Sequence, residues 1–329
     1  MAKYGVKILA TGSFLPEKVL TNKDLERMVD TTDEWITTRT GIKERRITDE
    51  NTATSDLAIG ASKVVLQQTG TSPEEIDLII VATITPDMLF PSTACFVQKG
   101  LGAKNAVCFD VLAACSGFIY ALACAKNFIE SGVYKNALVI GAETLTKITD
   151  WQDRSTCVLF GDGAGAVLLT RTDEDKSSIL SVYLGADGNQ DDLLKLPGGG
   201  SRKPFSKDVL DKRLQYISMN GRQLFKSAVI KMIEASEKAL EMCGRKPEDL
   251  ALLIPHQANL RIIDALRERI SLPKEKVFVN LDKYGNMSSA TTIIGLDEAI
   301  REGRVKSGDL VELVAFGGGL TWAATVIRI

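Results

Sequence analysis

Cys115 is the side chain of this sequence best suited to act as a nucleophile. The apolar run 106–111 predicts a buried strand, and a turn follows at 113–114. Helical spacing then predicts a helix that ends near Gly132 and buries Phe118, Leu122, Ala125 and Ile129. Because unpaired N–H groups and the macrodipole at a helix start favour a thiolate, we expect a lowered pKa for Cys115. The alternative is a small buried hydrophobic residue, as most free cysteines are.

His256 and Asn286 are two further residues whose types could act together with a cysteine. His256 is the only histidine in the chain and ends a predicted buried strand. Asn286 precedes Gly303 by the same number of residues as Cys115 precedes Gly132. Both residues are therefore expected where a helix begins.

Repeated patterns predict that the chain is internally duplicated. Segments 70–82 and 244–256 share three features. Each begins with a glycine that ends a helix, continues with a turn in which proline is followed by glutamate and a second acidic residue, and ends with a buried strand. The runs 165–171 and 323–328 also correspond. The matches occur in the same order, which indicates a duplicated βαβα unit of the α/β class with halves spanning 1–173 and 174–329.

The duplication has a geometric consequence for the candidate residues. Equivalent elements of two packed halves would bring Cys115 and Asn286 to equivalent positions around one axis. His256 ends the strand that precedes Asn286. The three side chains are therefore expected to converge on one site.

Composition limits the classes of function. The 329 residues are 45% hydrophobic and 25% charged, with a net charge of −2, which is typical of a globular protein and argues against a nucleic-acid binder. We expect no membrane span and no signal peptide, since no apolar run approaches the required length. Six cysteines without a Cys-x-x-Cys pair indicate a reduced, cytoplasmic protein, and the single histidine argues against a metal site.

Two other patterns have both a functional and a structural interpretation. Basic residues cluster at Arg39, Lys43, Arg45 and Arg46 and could meet an anionic ligand, although a solvated face is the commoner explanation. The glycine-rich motif at 160–166 resembles a phosphate-binding loop, but it lacks the G-x-G-x-x-G spacing and leads into a strand. Tight backbone packing is the interpretation we favour for these glycines.

The order Cys, His, Asn fits two unrelated chemistries. One is papain-like hydrolysis, whose cysteine signature is missing here and whose architecture is not a duplicated α/β chain. The other is decarboxylative Claisen condensation on the thiolase fold. A third possibility is a catalytically silent protein that only binds acyl thioesters, against which the intact trio argues.

Several motifs distinguish these possibilities. Their order and spacing, from about residue 5 to the C-terminus, closely resemble the β-ketoacyl-acyl carrier protein synthase III family. The strongest are DVLAACSGF at 110–118, PHQANLR at 255–261, YGNMSSA at 284–290 and FGGG at 316–319. DEWITTRTGI at 33–42, FGDGAG at 160–165 and GGGLTW at 317–322 match the family as well.

The resemblance implies a fold and a reaction. The fold is thiolase-like, with two duplicated halves packed as a five-layered αβαβα sandwich. The reaction is the initiating condensation of type II fatty-acid synthesis, in which an acyl-CoA primer, expected to be acetyl-CoA, acylates a cysteine. Malonyl-acyl carrier protein is then decarboxylated and attacks the acyl group. The resemblance also implies a homodimer that needs no cofactor, because acyl-CoA is a substrate.

The resemblance assigns roles to the trio. Cys115 is the nucleophile, and His256 and Asn286 receive the malonyl thioester carbonyl. Two neutral N–H donors aimed at the enolate oxygen would stabilise it. The backbone N–H groups of Cys115 and Gly318 match the oxyanion hole for the acyl thioester; at Gly318 a tight turn is a compatible explanation.

Substrate contacts carry over in the same way. Trp35 and Arg154 match the residues that sandwich the CoA adenine. Phe90 matches an acyl-pocket residue supplied across the dimer interface. Gln257 and Arg261 match the contact with acyl carrier protein. The remaining positions match the CoA and pantetheine channel and are Arg39, Gly221, Ala258 and Asn259.

Overall fold

Two β-sheets form the frame of the molecule, whose computed structural model describes residues 4–329. Their inner strands are apolar and rich in β-branched residues, as buried strands require. The strands of the chain are β1 (Gly5–Phe14), β2 (Val19–Thr21), β3 (Glu44–Arg46), β4 (Leu78–Ala82), β5 (Val107–Val111), β6 (Asn136–Thr144), β7 (Asp162–Thr172), β8 (Ile179–Ala186), β9 (Leu194–Lys195), β10 (Ser218–Met219), β11 (Leu252–Pro255), β12 (Leu310–Gly317) and β13 (Thr321–Arg328).

Helices cover both faces of each sheet. The longer ones end at glycines in the left-handed region, such as Gly70 after the third helix, because glycine adopts a positive φ without a steric penalty. The helices are α1 (Asn22–Leu25), α2 (Asp33–Thr40), α3 (Thr54–Thr69), α4 (Thr93–Leu101), α5 (Gly117–Glu130), α6 (Arg154–Cys157), α7 (Lys207–Asp211), α8 (Gly221–Met242), α9 (Leu260–Arg269), α10 (Leu281–Tyr284) and α11 (Ala290–Arg301).

The two sheets repeat one topology. The first has the order β1-β7-β6-β4-β5 and the second the order β8-β13-β12-β11. In each, the first two strands of that order pair antiparallel, the next pair is antiparallel, and the following pair is parallel. The duplication predicted from the repeated segments is thereby confirmed as a property of the fold. The exact boundary between residues 173 and 174 stays a prediction.

Five layers result from the burial pattern. Along β4, Leu78, Ile80 and Ala82 face a core shared with α5, α11 and the second sheet, whereas Ile79 and Val81 face α3 and α4. The outer face of the second sheet is covered by α8 and α9. This order is the αβαβα sandwich that the family resemblance implies. It places the beginnings of α5 and α11 between the sheets.

No helix in residues 4–329 is long and apolar enough to cross a lipid bilayer.

Candidate active site

Cys115 lies in a tight connection between a strand and a helix. The strand β5 ends at Val111, a 3₁₀ turn spans Ala114–Ser116, and α5 begins at Gly117. Ala114 has a φ of +46°, a strained conformation of the kind found at functional sites. The nearby β12–β13 connection approaches so closely that a Cβ at position 317 would lie 2.5 Å from the Cys115 nitrogen. Glycine is therefore required at position 317.

Two cavities share Cys115 as part of their walls. The first, of about 130 Å³, is also lined by His256, Asn286, Gly221 and Ala258. The second, of about 380 Å³, is mostly apolar and includes Gly318 in its wall; its apolar lining includes Leu145, Ile148, Phe160 and Ile217. The structure thus brings together the three residues on which sequence analysis converged, with an apolar space on the other side of the thiol.

His256 follows the end of β11 and is buried. Its backbone N–H donates to the Val314 carbonyl at 2.7 Å, which fixes the residue to the neighbouring strand β12. Its ring Nδ1 lies 2.7 Å from the hydroxyl of Thr291 in α11. Burial lowers the pKa of His256 to about 3, because the charged imidazolium would lose its hydration. The imidazole is therefore neutral at physiological pH.

Asn286 is held from both sides of its backbone. Its N–H donates to the Leu159 carbonyl at 2.9 Å, and its carbonyl accepts from Gly161 at 3.0 Å. The side-chain Oδ1 accepts the Ser288 N–H at 2.8 Å. Because an amide has one oxygen and one nitrogen, this bond fixes the orientation of the group and leaves Nδ2 as the donor available to the cavity.

The glycine-rich motif allows this segment to approach the first sheet. A Cβ at Gly161 would lie 2.4 Å from the Tyr284 carbonyl oxygen, and one at Gly163 would lie 2.7 Å from the Met287 sulfur. The structure therefore supports tight backbone packing, rather than phosphate binding, as the reason for these glycines. Their function is to make room for the loop that carries Asn286.

Arg45 is a buried positioning residue that sequence analysis treated only as part of a basic cluster. It is fully buried, and its Nη2 donates at 2.7 Å to the carbonyl of Val158, next to the residue that accepts the Asn286 N–H. Its Nη1 donates to Asn22 Oδ1 at 2.9 Å and to the Leu20 carbonyl at 3.1 Å. Burial lowers its pKa to about 10. The basic cluster that contains Arg45 indicated either a site for an anionic ligand or a solvated face. Both interpretations are wrong for Arg45, because a sequence motif shows charge but not burial.

The expected lowered pKa of Cys115 is wrong. Burial raises the pKa of this thiol to about 12; the Glu143 carboxyl adds to the increase, and the nearby Ser288 hydroxyl opposes it. Desolvation of the thiolate therefore outweighs the favourable position before α5. The resting nucleophile is a neutral thiol, and its proton must leave as the acyl group arrives.

Glu143 is a buried carboxyl beneath the nucleophile. It accepts hydrogen bonds from the Thr85 hydroxyl at 2.7 Å and from the Ile84 N–H at 3.1 Å, and it lies 3.0 Å from the Ser289 hydroxyl. Burial raises the pKa of Glu143. The group links the end of β6 to the loop after β4 and to the residue before α11, in the segment that carries Asn286.

The two residues expected to sandwich adenine are in direct contact with each other. The Arg154 guanidinium lies 4.9 Å from the centre of the Trp35 ring. Arg154 also donates to the Asp30 carbonyl at 2.6 Å. A flat ring between two flanking groups lies roughly 3.5–4 Å from each of them, so the two groups must be about twice that distance apart. In the present arrangement of Trp35 and Arg154, no adenine fits between them. Arg154 must move before it can flank a ligand stacked on Trp35.

Other predicted CoA contacts lie near the first cavity. Asn259 lines it and caps α9, accepting from the Arg261 N–H at 2.9 Å while its Nδ2 donates to the Arg39 carbonyl at 3.1 Å. The Arg39 side chain is exposed and borders a shallow groove with Trp35. Asn259 therefore ties α2 to α9 along one side of the cavity.

The structure separates the two residues expected to contact acyl carrier protein. Gln257 is fully buried, and its amide donates to the Pro255 and Phe278 carbonyls and accepts from two backbone N–H groups. The expectation that it contacts a partner is wrong; it braces the loop after β11. Arg261 is exposed and available to a partner.

Phe90 is 84% exposed and lines neither cavity of its own chain in the described residues. Within residues 4–329, no three histidine, cysteine, aspartate or glutamate side chains are grouped so as to hold a metal ion.

Comparison with known proteins extends over the whole chain. Residues 109–188 match the family 3-oxoacyl-[acyl-carrier-protein (ACP)] synthase III, and residues 240–329 match the C-terminal family of the same enzyme. The β-ketoacyl-[acyl-carrier-protein] synthase III of Caldanaerobacter subterraneus subsp. tengcongensis is 59% identical over 326 residues, covering 99% of this chain and 98% of that protein. The Aquifex aeolicus protein of the same name is 57% identical over 324 residues, covering 98% of this chain and 99% of that protein.

Solved structures give the same picture. The crystal structure of 3-oxoacyl-[acyl-carrier-protein] synthase III from Aquifex aeolicus has a TM-score of 0.92 and 56% identity, covering 99% of this chain and 100% of that one. The priming β-ketosynthase of the R1128 polyketide pathway has a TM-score of 0.92 and 35% identity, covering 100% of this chain and 97% of that one.

Proposed function

The chain belongs to the 3-oxoacyl-[acyl-carrier-protein] synthase III family, and we propose from this premise that it condenses an acyl-CoA primer with malonyl-acyl carrier protein. The enzyme is an acyltransferase, and the reaction initiates fatty-acid synthesis. Its substrate partners in this proposal are a small molecule, acyl-CoA, and a protein, malonyl-acyl carrier protein, and it needs no cofactor.

The first half-reaction transfers the acyl group to Cys115. The thiol sulfur attacks the thioester carbonyl of acyl-CoA, the bond from the acyl carbon to the CoA sulfur breaks, and CoA leaves as a thiol with a proton. The N–H groups of Cys115 and Gly318 stabilise the oxyanion that forms between these events. Because the pKa of Cys115 is about 12 at rest, loss of its proton accompanies the attack.

The second half-reaction uses His256 and Asn286. Malonyl-acyl carrier protein loses CO₂, and the electrons of the broken bond form an enolate. The enolate carbon attacks the carbonyl carbon of the acyl group, the bond from that carbon to the Cys115 sulfur breaks, and the released thiolate takes a proton from solvent. The observation that carries this proposal is the orientation of Asn286: its Oδ1 accepts the Ser288 N–H, so Nδ2 is the donor in the wall shared with His256 and Cys115. Two neutral donors stabilise the enolate without releasing a proton.

The second cavity supports a role as the acyl site. It is apolar, borders Cys115 and has a volume of about 380 Å³, more than an acetyl group fills. We propose acetyl-CoA as the primer. Phe90 of a second copy would occupy part of this space and restrict the chain length.

An exposed apolar face supports the homodimer. Phe90, Leu89 and Leu112 are 84%, 80% and 76% exposed. Leu112 directly follows β5, the edge strand of the first sheet, and the segment that carries Leu89 and Phe90 reaches β5 at Thr93, whose N–H donates to Asp110. Exposed apolar patches of this kind mark interaction sites.

We also propose the organisation into units 1–173 and 174–329. A cytoplasmic location is supported by six unpaired cysteines, four of them half-buried.

Arg261 supports docking of acyl carrier protein. Its side chain is exposed at the first turn of α9, and its Nη2 donates to the Thr38 carbonyl at 3.1 Å. It therefore lies beside the entrance bounded by α2 and Asn259. A basic side chain here would attract an acidic carrier protein and steer its prosthetic arm towards the cavity.

Intact-mass spectrometry after incubation with acetyl-CoA tests the proposal. We expect one acetyl adduct on Cys115, none on Cys115→Ala, and conversion to 3-ketoacyl-carrier protein when malonyl-acyl carrier protein is added. Release of free acetate without a condensation product would instead identify a cysteine hydrolase. A stable adduct that malonyl-acyl carrier protein never consumes would identify a protein that only binds acyl thioesters.

A further inference from the structure

Among the described residues, Thr291 is the only one whose side chain is hydrogen-bonded to the His256 ring. The hydroxyl oxygen lies 2.7 Å from His256 Nδ1 and 3.0 Å from the carbonyl of Ser288. Thr291 is fully buried in the first turn of α11, so water does not compete for these contacts. A hydroxyl has one hydrogen and can donate it to only one of these two acceptors.

The direction of that hydrogen determines the tautomer of the neutral imidazole. If the Thr291 hydroxyl donates to the Ser288 carbonyl, Nδ1 must carry the ring proton to bond with the threonine oxygen, and Nε2 has a lone pair. If the hydroxyl donates to His256 Nδ1, the ring proton is on Nε2. Only the second state offers an N–H from Nε2 to a developing enolate oxygen; in the first, a lone pair would face it.

The Ser288 carbonyl can release the hydroxyl at little cost. The backbone N–H of Thr291 also donates to this carbonyl, at 3.3 Å. The carbonyl therefore keeps a hydrogen bond in either state, and no buried acceptor is left without a partner. His256 Nδ1 contacts the Thr291 oxygen in both states, so the two states differ at Nε2. Only the state in which the hydroxyl donates to the ring gives the proposed reaction an N–H donor there.

We propose that Thr291 is a positioning residue whose hydroxyl donates to His256 Nδ1 and thereby keeps the ring proton on Nε2 for the condensation step. This inference rests on the proposed function. It assigns the Thr291 hydroxyl to the decarboxylation and condensation step, whereas transfer of the acyl group to Cys115 does not require an N–H from Nε2.

The chain supplies its own controls. Thr292 is the next residue, is also fully buried, and its hydroxyl has no hydrogen-bond partner in residues 4–329. Thr292→Val therefore removes a buried hydroxyl from the same helix turn without altering the ring. Thr291→Val removes the hydroxyl that contacts the ring and keeps the shape of the side chain, and Thr291→Ser restores a hydroxyl.

Nitrogen NMR reads the tautomer directly. His256 is the only histidine, so a protein labelled with ¹⁵N-histidine gives one pair of ring signals. In the wild-type enzyme we expect the protonated nitrogen to be Nε2. In Thr291→Val we expect the two ring signals to move towards each other as the preference is lost. A proton on Nδ1 in the wild type, or signals in Thr291→Val that match the wild type, would overturn the proposal.

Kinetics of the two half-reactions provide the second readout. We expect Thr291→Val to reduce kcat for condensation about tenfold, which is the usual effect of losing one buried hydrogen bond. KM for malonyl-acyl carrier protein and the rate of acetyl transfer to Cys115 should change little. Thr291→Ser should recover most of the activity, and Thr292→Val should resemble the wild type.

Three results would contradict the role of Thr291. These are an unchanged kcat in Thr291→Val, no recovery in Thr291→Ser, or an equal loss in Thr292→Val, which would indicate general packing. Failure of the proposed function is a separate result, because then the wild-type enzyme itself would form no 3-ketoacyl product.

Discussion

A lowered pKa of His256 should make folding stability fall in a defined pH window. Burial lowers this pKa from 6.5 to about 3. The unfolded chain therefore binds a proton below pH 6.5 that the native protein does not bind, and stability is lost as the pH falls from 6.5 towards 3. The full difference of 3.5 units corresponds to roughly 5 kcal/mol, at about 1.36 kcal/mol for each unit.

The effect at an accessible pH can be measured with a matched variant. A pH of 5 lies 1.5 units below the unfolded-state pKa of 6.5, so the imidazole alone should destabilise the protein by about 2 kcal/mol relative to pH 7.5. His256→Gln cannot ionise and should lack this increment. Urea unfolding of both proteins at the two pH values gives the difference. A His256 NMR titration midpoint near 6.5, or the same pH dependence in both proteins, would refute the argument.

Three other side chains give predictions from the same physical reasoning. Burial raises the pKa of Glu312 from 4.5 to about 8, so the wild type loses stability as the pH rises from 4.5 to 8. Glu312→Gln should therefore raise the melting temperature at pH 8 but much less at pH 5, and equal shifts at both pH values would contradict this. Arg261→Glu should raise KM for malonyl-acyl carrier protein while acetyl transfer from acetyl-CoA continues, and the exposed Lys63→Glu should change neither; equal loss in both half-reactions would make Arg261 structural. Arg154→Ala should raise KM for acetyl-CoA severalfold with little change in kcat, if Arg154 flanks an adenine stacked on Trp35, and an unchanged KM would exclude that contact.

Sequence patterns predicted the elements whose formation depends on local periodicity. The buried strand in segment 70–82, which is β4, and the glycines that follow α3 and α5 all appear in the structure near the predicted positions. The duplication was also accessible, because repeated elements repeat their apolar spacing and turn residues. Proximity of the candidate trio followed from that duplication.

Depth and desolvation were not accessible from the sequence. The position of Cys115 before α5 indicated a lowered pKa, but packing against the β12–β13 connection buries the thiol and raises it. Gln257 and Arg45 carry polar groups that usually lie at a surface, yet both are fully buried and bonded to backbone groups. Such contacts join residues distant in sequence, so no local pattern reports them.

The separation of roles between Cys115 and the donor pair is tested most directly by a single-turnover experiment on Asn286→Ala and His256→Ala. Each enzyme is incubated with acetyl-CoA and then with labelled malonyl-acyl carrier protein, and the protein mass and released CO₂ are followed together. We expect both variants to acquire the acetyl adduct on Cys115 but to release CO₂ and form 3-ketoacyl product about 10²–10³ times more slowly, the usual cost of deleting one oxyanion donor. Wild-type rates of CO₂ release, or a folded His256→Ala protein that takes up no acetyl group, would contradict the account.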